Sequence, residues 1–205
     1  MHTFLALGDS YTIGEGVSLH QGYPYQTVQL LRAAGQPFHA PEIVARTGWT
    51  TDELAHTLTT LRLLPQYDFV SLLIGVNNQY RGRDTGEYAK EFRELLQRAL
   101  QLTGSPSRVF VLSIPDWGYS PFGAGRDKTL ITGEIDAFNA VAQDLTGHHK
   151  VHFIDITHHS RTEGATPGSF VADGLHPSPS TYRFWAQQLF AAINATLPSR
   201  QFPVD

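Results

Sequence analysis

Cysteine is absent from all 205 residues. That excludes disulfides, thiol nucleophiles and Cys-ligated zinc or iron–sulfur centres. It leaves the compartment open, because a secreted chain can also lack the residue. No apolar run reaches the roughly eighteen residues that a spanning helix needs, so no integral membrane segment is expected. An excess of positive charge is also missing: 15 Lys and Arg face 19 Asp and Glu, for a net charge of -4. Such a surface offers no basic field to nucleic acid, and no nucleic-acid partner is expected. The N-terminus lacks the basic start and long apolar core of a signal peptide. A cytoplasmic location is the expectation, although a chain already trimmed of its signal would read the same. There is no internal repeat, low-complexity tract or evident linker, so residues 1–205 are expected to form a single domain.

Three familiar motifs are missing as well. Gly8-Asp9-Ser10-Tyr11-Thr12 lacks the second glycine of the G-x-S-x-G elbow. The stretch GEGVSL (14–19) lacks the third glycine of a dinucleotide fingerprint and does not directly follow a strand. No Walker A sequence occurs.

What is present is an alternation. Hydrophobic residues make up 41% and charged residues 17%, the balance of a folded globular chain. Short apolar runs at 3–9, 41–47, 68–75, 108–115 and 151–157 read as strands buried on both faces of a parallel sheet. Helical patterns separate them. One runs from about Tyr25 to Ala34, stopped by Gly35 and Pro37, and another starts near Thr51 with Asp52 and Glu53 in its first turn, where acidic groups suit the helix dipole. Apolar stripes at Tyr88, Phe92, Leu95, Leu96 and Ala99, at Ile131, Ile135, Phe138, Ala142 and Leu145, and at Tyr182, Trp185, Ala186, Leu189, Phe190, Ile193 and Leu197 mark three further core-facing helices. The last is announced by Ser178 as N-cap and Pro179 at the first helical position. Five strands, each followed by a helix, imply an α/β protein built as a three-layer α/β/α sandwich on a five-stranded parallel sheet.

In such folds ligands lie beyond the carboxyl ends of the strands. Asp9 and Ser10 fall there, followed along the chain by Thr47, Gly48 and Trp49, then Asn77, Asn78 and Gln79, then Asp116 and Trp117. A long polar loop after the fifth strand leads to DGLHPS (173–178). Ser10 alone reads as a turn or a helix cap; as a nucleophile it needs a base, an orienting acid and oxyanion donors. His176 is the candidate base, with Asp173 three residues before it able to fix its tautomer through a local turn. Asp173 and Gly174 also read as a plain turn. Asn77 is a candidate side-chain donor to an oxyanion, and Gly48 can present its N–H without obstruction. His148, His149, His158 and His159 read as solvated loop residues, and no metal site is assigned. Trp49, Asn78, Tyr80 and Trp117 are candidate substrate contacts. The loop 114–127, rich in Pro, Gly and aromatics, is either a pocket wall or a loop anchored by its own rings. Arg81 and Arg83 read as solvated surface cations.

At these residues the chain resembles the SGNH hydrolases, also called the GDSL esterase/lipase family. The resemblance runs from LGDSYTIGEG (7–16) through ARTGWTTDEL (45–54) and IGVNNQY (74–80) to DGLHPS (173–178), in the family's order. It implies a flavodoxin-like fold, a nucleophile at Ser10, a general base at His176 with Asp173 as its acid, and an oxyanion hole from Ser10, Gly48 and Asn77. It implies no cofactor. Small or exposed esters follow as the substrate class: short-chain acyl esters, lysophospholipids or acetylated sugars, with acyl thioesters also within the family's range. Tyr11 stands in place of the leucine of G-D-S-L, and Asn78 in place of the aspartate that commonly follows the oxyanion asparagine. A non-catalytic carbohydrate- or ligand-binding module on the same fold is the alternative. A fluorophosphonate probe separates the two, because only the enzyme is labelled through Ser10.

Overall fold

The computed structural model describes residues 1–164 and 166–198. Five parallel strands, β1 (Phe4–Gly8), β2 (Glu42–Ala45), β3 (Phe69–Leu73), β4 (Val109–Leu112) and β5 (His152–Ile154), form one sheet in the order β2-β1-β3-β4-β5. This is the flavodoxin-like order, in which the chain reverses its direction of winding between β1 and β3. Eight helices accompany the strands among the described residues: α1 (Ser10–Ile13), α2 (Tyr23–Ala33), α3 (Thr51–Thr60), α4 (Val76–Tyr80), α5 (Thr85–Thr103), α6 (Lys128–His149), α7 (Thr157–Glu163) and α8 (Pro179–Thr196). α2 packs on α8, while α5 lies against both α3 and α6, which gives the two helical layers.

The reason for burial on both faces is position in the sheet. β1, β3 and β4 are buried at every residue, as their continuous apolar runs require. β2 and β5 are only partly buried; the expectation of two covered faces fails for them because they are the edges. Phe4, Phe69 and Phe110 sit in the core between the layers, and the apolar stripes of α5, α6 and α8 face it as their spacing predicts.

The long helices start where capping chemistry places them. At α3, the Thr50 side chain and Glu53 form a capping box. At α8, Ser178 accepts from the Thr181 N–H and Pro179 opens the helix. α2 begins two residues earlier than the apolar pattern indicates, with Pro24 in its first turn. α1, α4 and α7 do not appear in the sequence pattern at all. α7 corrects the reading of one long polar loop after β5, and it carries His158 and His159. His148 and His149 form the last turn of α6. None of these four is a loop residue, and the His159 ring stacks on Phe184 at 3.8 Å.

Candidate active site

Ser10 is delivered by a sharp junction. A side chain on Gly8 would collide with the Thr12 hydroxyl and the Leu73 carbonyl, so only glycine lets α1 fold back this tightly against β3. Asp9 then caps α1, its Oδ1 accepting the Tyr11 N–H at 3.0 Å. Ser10 follows as the first helical residue, buried at the carboxyl edge of the sheet.

His176 arrives from the other end of the chain. Its segment is tied back by the Val171 N–H to the His176 carbonyl and the Ser178 N–H to the Ser169 carbonyl, both 2.9 Å. Asp173 wraps the turn: Oδ1 accepts the N–H groups of Leu175 (2.8 Å) and His176 (3.0 Å), and Oδ2 accepts from His176 Nδ1 at 2.6 Å. A carboxylate only accepts, so Nδ1 carries the hydrogen and Nε2 has a free lone pair. Nε2 lies 2.9 Å from Ser10 Oγ and accepts its proton. Partial burial pushes the Asp173 carboxyl up, but the hydrogen bonds from the His176 ring and from the His176 and Leu175 N–H groups outweigh it and hold the group below the ordinary carboxylate range. Asp173 therefore stays ionised and fixes the ring.

Gly48 and Asn77 meet Ser10 from two further strand ends. The Trp49 N–H bonds the Arg46 carbonyl at 3.2 Å, closing a turn in which Gly48 adopts φ +81°. That is the third position of a type II turn, where glycine is favoured. Asn77 Nδ2 donates to the Trp49 carbonyl at 3.0 Å, which leaves its second N–H available. An adjoining cleft of about 150 Å³ is lined by Ser10, Asn77 and His176 and walled by Tyr11, Val76, Tyr80, Trp117, Phe122 and Leu175.

Tyr80 and Trp117, candidate substrate contacts by sequence, both line this cleft. Two others are corrected. Trp49 packs against the core instead of lining the cleft; its carbonyl, not its ring, reaches the site. Asn78 is fully buried: Oδ1 accepts the Thr51 N–H at 3.1 Å, and Nδ2 donates to Thr51 Oγ1 at 2.6 Å and Glu91 at 3.4 Å. It links α4 to α3 and touches no cleft. Arg81 and Arg83 are not simply solvated either. Arg83 pairs with Asp52 at 2.7 Å, and Arg81 donates to the Gly48 carbonyl at 2.6 Å. Val76 and Leu175 line the cleft without having been singled out, Tyr11 was noted only for replacing the family's leucine, and Phe122 belongs to the loop 114–127; Tyr11 and Leu175 were findable as immediate neighbours of Ser10 and His176.

The model of the GDSL-like Lipase/Acylhydrolase family matches residues 6–184. The chain belongs to that family. No curated protein sequence matches it. Among solved structures, the lipase/acylhydrolase from Enterococcus faecalis is similar with a TM-score of 0.78 at 22% identity, covering 98% of this chain and 100% of that one. The acetylxylan esterase Axe2 from Geobacillus stearothermophilus gives 0.75 at 19% identity, with 97% of each chain covered. TesA gives 0.75 at 19%, covering 95% of this chain and 99% of that one. These likenesses establish the shared fold, and family membership makes the protein a GDSL-type ester hydrolase. In this GDSL hydrolase the position of the name-giving leucine is filled by Tyr11, whose ring packs at 5.7 Å from that of His176.

Proposed function

We propose that the protein hydrolyses small carboxylic esters with short acyl groups through an acyl-enzyme on Ser10. The observation that carries this reading is the unbroken chain from Asp173 through His176 to Ser10, 2.6 and 2.9 Å long, opening on an aromatic-walled cleft of about 150 Å³. His176 takes the Ser10 proton as Oγ attacks the ester carbonyl, and Asp173 stabilises the imidazolium. The charge on the carbonyl oxygen is met by the N–H groups of Ser10 and Gly48 and by the Asn77 amide. His176 then protonates the leaving alcohol. Water, deprotonated by the same ring, releases the acid and restores Ser10.

The size of the cleft favours a short acyl group, and Tyr80, Trp117 and Phe122 offer stacking faces to an aryl or sugar alcohol. The protein should hydrolyse aryl acetates and butyrates, with rates falling for long acyl chains. Ser10→Ala should abolish turnover and fluorophosphonate labelling. Unchanged turnover in Ser10→Ala overturns the assignment; undiminished rates on long-chain esters overturn the chain-length claim.

A further inference from the structure

The loop that carries Gly48 is pinned group by group. Its Trp49 N–H bonds Arg46, its Trp49 carbonyl accepts from Asn77, and its Thr50 N–H donates to Glu53 at 2.9 Å. The Gly48 carbonyl is held as well: its partner is the Arg81 guanidinium, Nη2 to O at 2.6 Å. Among the described residues the Gly48 N–H itself donates to no protein acceptor. It is half-buried beside Asn77 and Ser10, and so is available to a ligand.

Arg81 lies four residues after Asn77, at the C-cap of α4, and residues so spaced share a helix face. Asn77 and Arg81 thus grip two successive carbonyls, those of Trp49 and Gly48. The second arm of the guanidinium, Nη1, reaches Glu53 at 3.4 Å, the same carboxylate that caps α3 through Thr50. The fork therefore spans the oxyanion loop and the start of α3. A single ammonium cannot reproduce that geometry. The Nη2 atom is also close to Gly48: a Cβ built there would lie 3.7 Å from it.

We propose that Arg81 is a positioning residue for oxyanion stabilisation, acting through Gly48. By holding the Gly48 carbonyl it sets the plane of the turn and aims the Gly48 N–H at the reacting carbonyl oxygen. This rests on the ester-hydrolase reading above. Misaiming one donor costs part of what its removal costs, and removal costs roughly 10²–10³ in kcat.

The test is steady-state kinetics on an aryl acetate for the wild type, Arg81→Ala, Arg81→Lys and Arg83→Ala. Arg81→Ala should lower kcat by about tenfold or more with KM within about twofold, and Arg81→Lys should recover part of the loss. Added guanidinium ion at low millimolar concentration should restore part of kcat in Arg81→Ala alone. Arg83 touches neither Gly48 nor the cleft, and its variant should retain wild-type kcat. Wild-type kcat in Arg81→Ala overturns the inference while leaving the hydrolase reading standing. So does a loss expressed in KM alone, or a kcat loss that neither lysine nor guanidinium relieves. A wild-type protein with no Ser10-dependent turnover overturns the reading and the inference together.

Discussion

Asp9 is a carboxyl group in an unfavourable place. It is fully buried, Oδ1 accepts one backbone N–H, and Oδ2 has no hydrogen-bond partner. Burial pushes its carboxyl up from the usual 3.8 to about 7, against the opposing pull of the Tyr11 N–H. The sign of the linkage follows. Between those two values the folded state holds a proton that the unfolded state has released, so this group's contribution to stability falls as pH rises through the window. Asp9→Asn keeps the acceptor for Tyr11 and removes the ionisation. Its stability relative to wild type, from urea or thermal melts, should improve steadily across that pH window and then level off. A difference that stays constant with pH would show that Asp9 does not titrate there.

The same scale explains what single residues disclosed. Ser10, Gly48, Asn77, Asp173 and His176 were legible only jointly, because each residue type suits its role and all fall after the carboxyl ends of strands. Asn78 was legible only as a departure from the family pattern. Its reason lies 13 positions away: Glu91 receives the Asn78 amide, and an aspartate there would place two carboxylates against each other.

At the scale of elements, α4 was invisible in the sequence. Five residues are too few to show a helical period, yet three of its side chains and the Arg81 cap hold neighbouring segments. Asn77 grips the Trp49 carbonyl, Asn78 bridges to α3, and Arg81 holds Gly48. Gln79 accepts from Trp117 Nε1 at 2.8 Å and donates to Glu134 of α6 at 2.6 Å. The loop 114–127 is thus anchored by polar groups as well as by its rings. Asp116, buried, accepts from Gly118 (3.0 Å), Thr132 (2.8 Å) and Arg161 (3.0 Å). Arg126 lies over Tyr80, Trp117 and Phe122 at 5.5, 5.3 and 4.7 Å. Wall and anchor, posed as alternatives by composition, are both present in one loop. Gln79→Leu removes the link without emptying the space. It leaves the Trp117 N–H unpaired, which should cost about 1–3 kcal/mol of stability. It should also raise KM for aryl esters more than it lowers kcat, because Trp117 lines the cleft while the Ser10–His176 pair is untouched. Unchanged KM and melting temperature together would show that Gln79 does not hold the wall.

At the scale of the whole molecule, the sheet order was within reach of the sequence because five βα repeats and right-handed crossovers leave few topologies. The half-covered edges left a fainter mark: Glu42 opens β2 and His152 opens β5, polar residues of a kind that β1 and β4 lack. The site itself is a property of the complete chain. Ser10 and His176 are 166 positions apart and meet because α8 docks on α2, with Trp185 of α8 packed at 5.9 Å from Tyr11 and 6.4 Å from Tyr23. All three tryptophans of the chain stand at this edge of the fold: Trp49 in the Gly48 loop, Trp117 in the cleft wall and Trp185 beneath Tyr11. Their fluorescence therefore reports on the site, whereas far-UV circular dichroism reports on the layers. If the site were held by its own loops, its signal and its activity would fail at lower urea than the helices. Because the nucleophile and the base are joined through the core, enzyme activity, tryptophan fluorescence and circular dichroism should be lost in one coincident transition. An earlier loss of activity and fluorescence, with the dichroism intact, would show that the catalytic edge unfolds on its own and that the α2–α8 contact does not govern it.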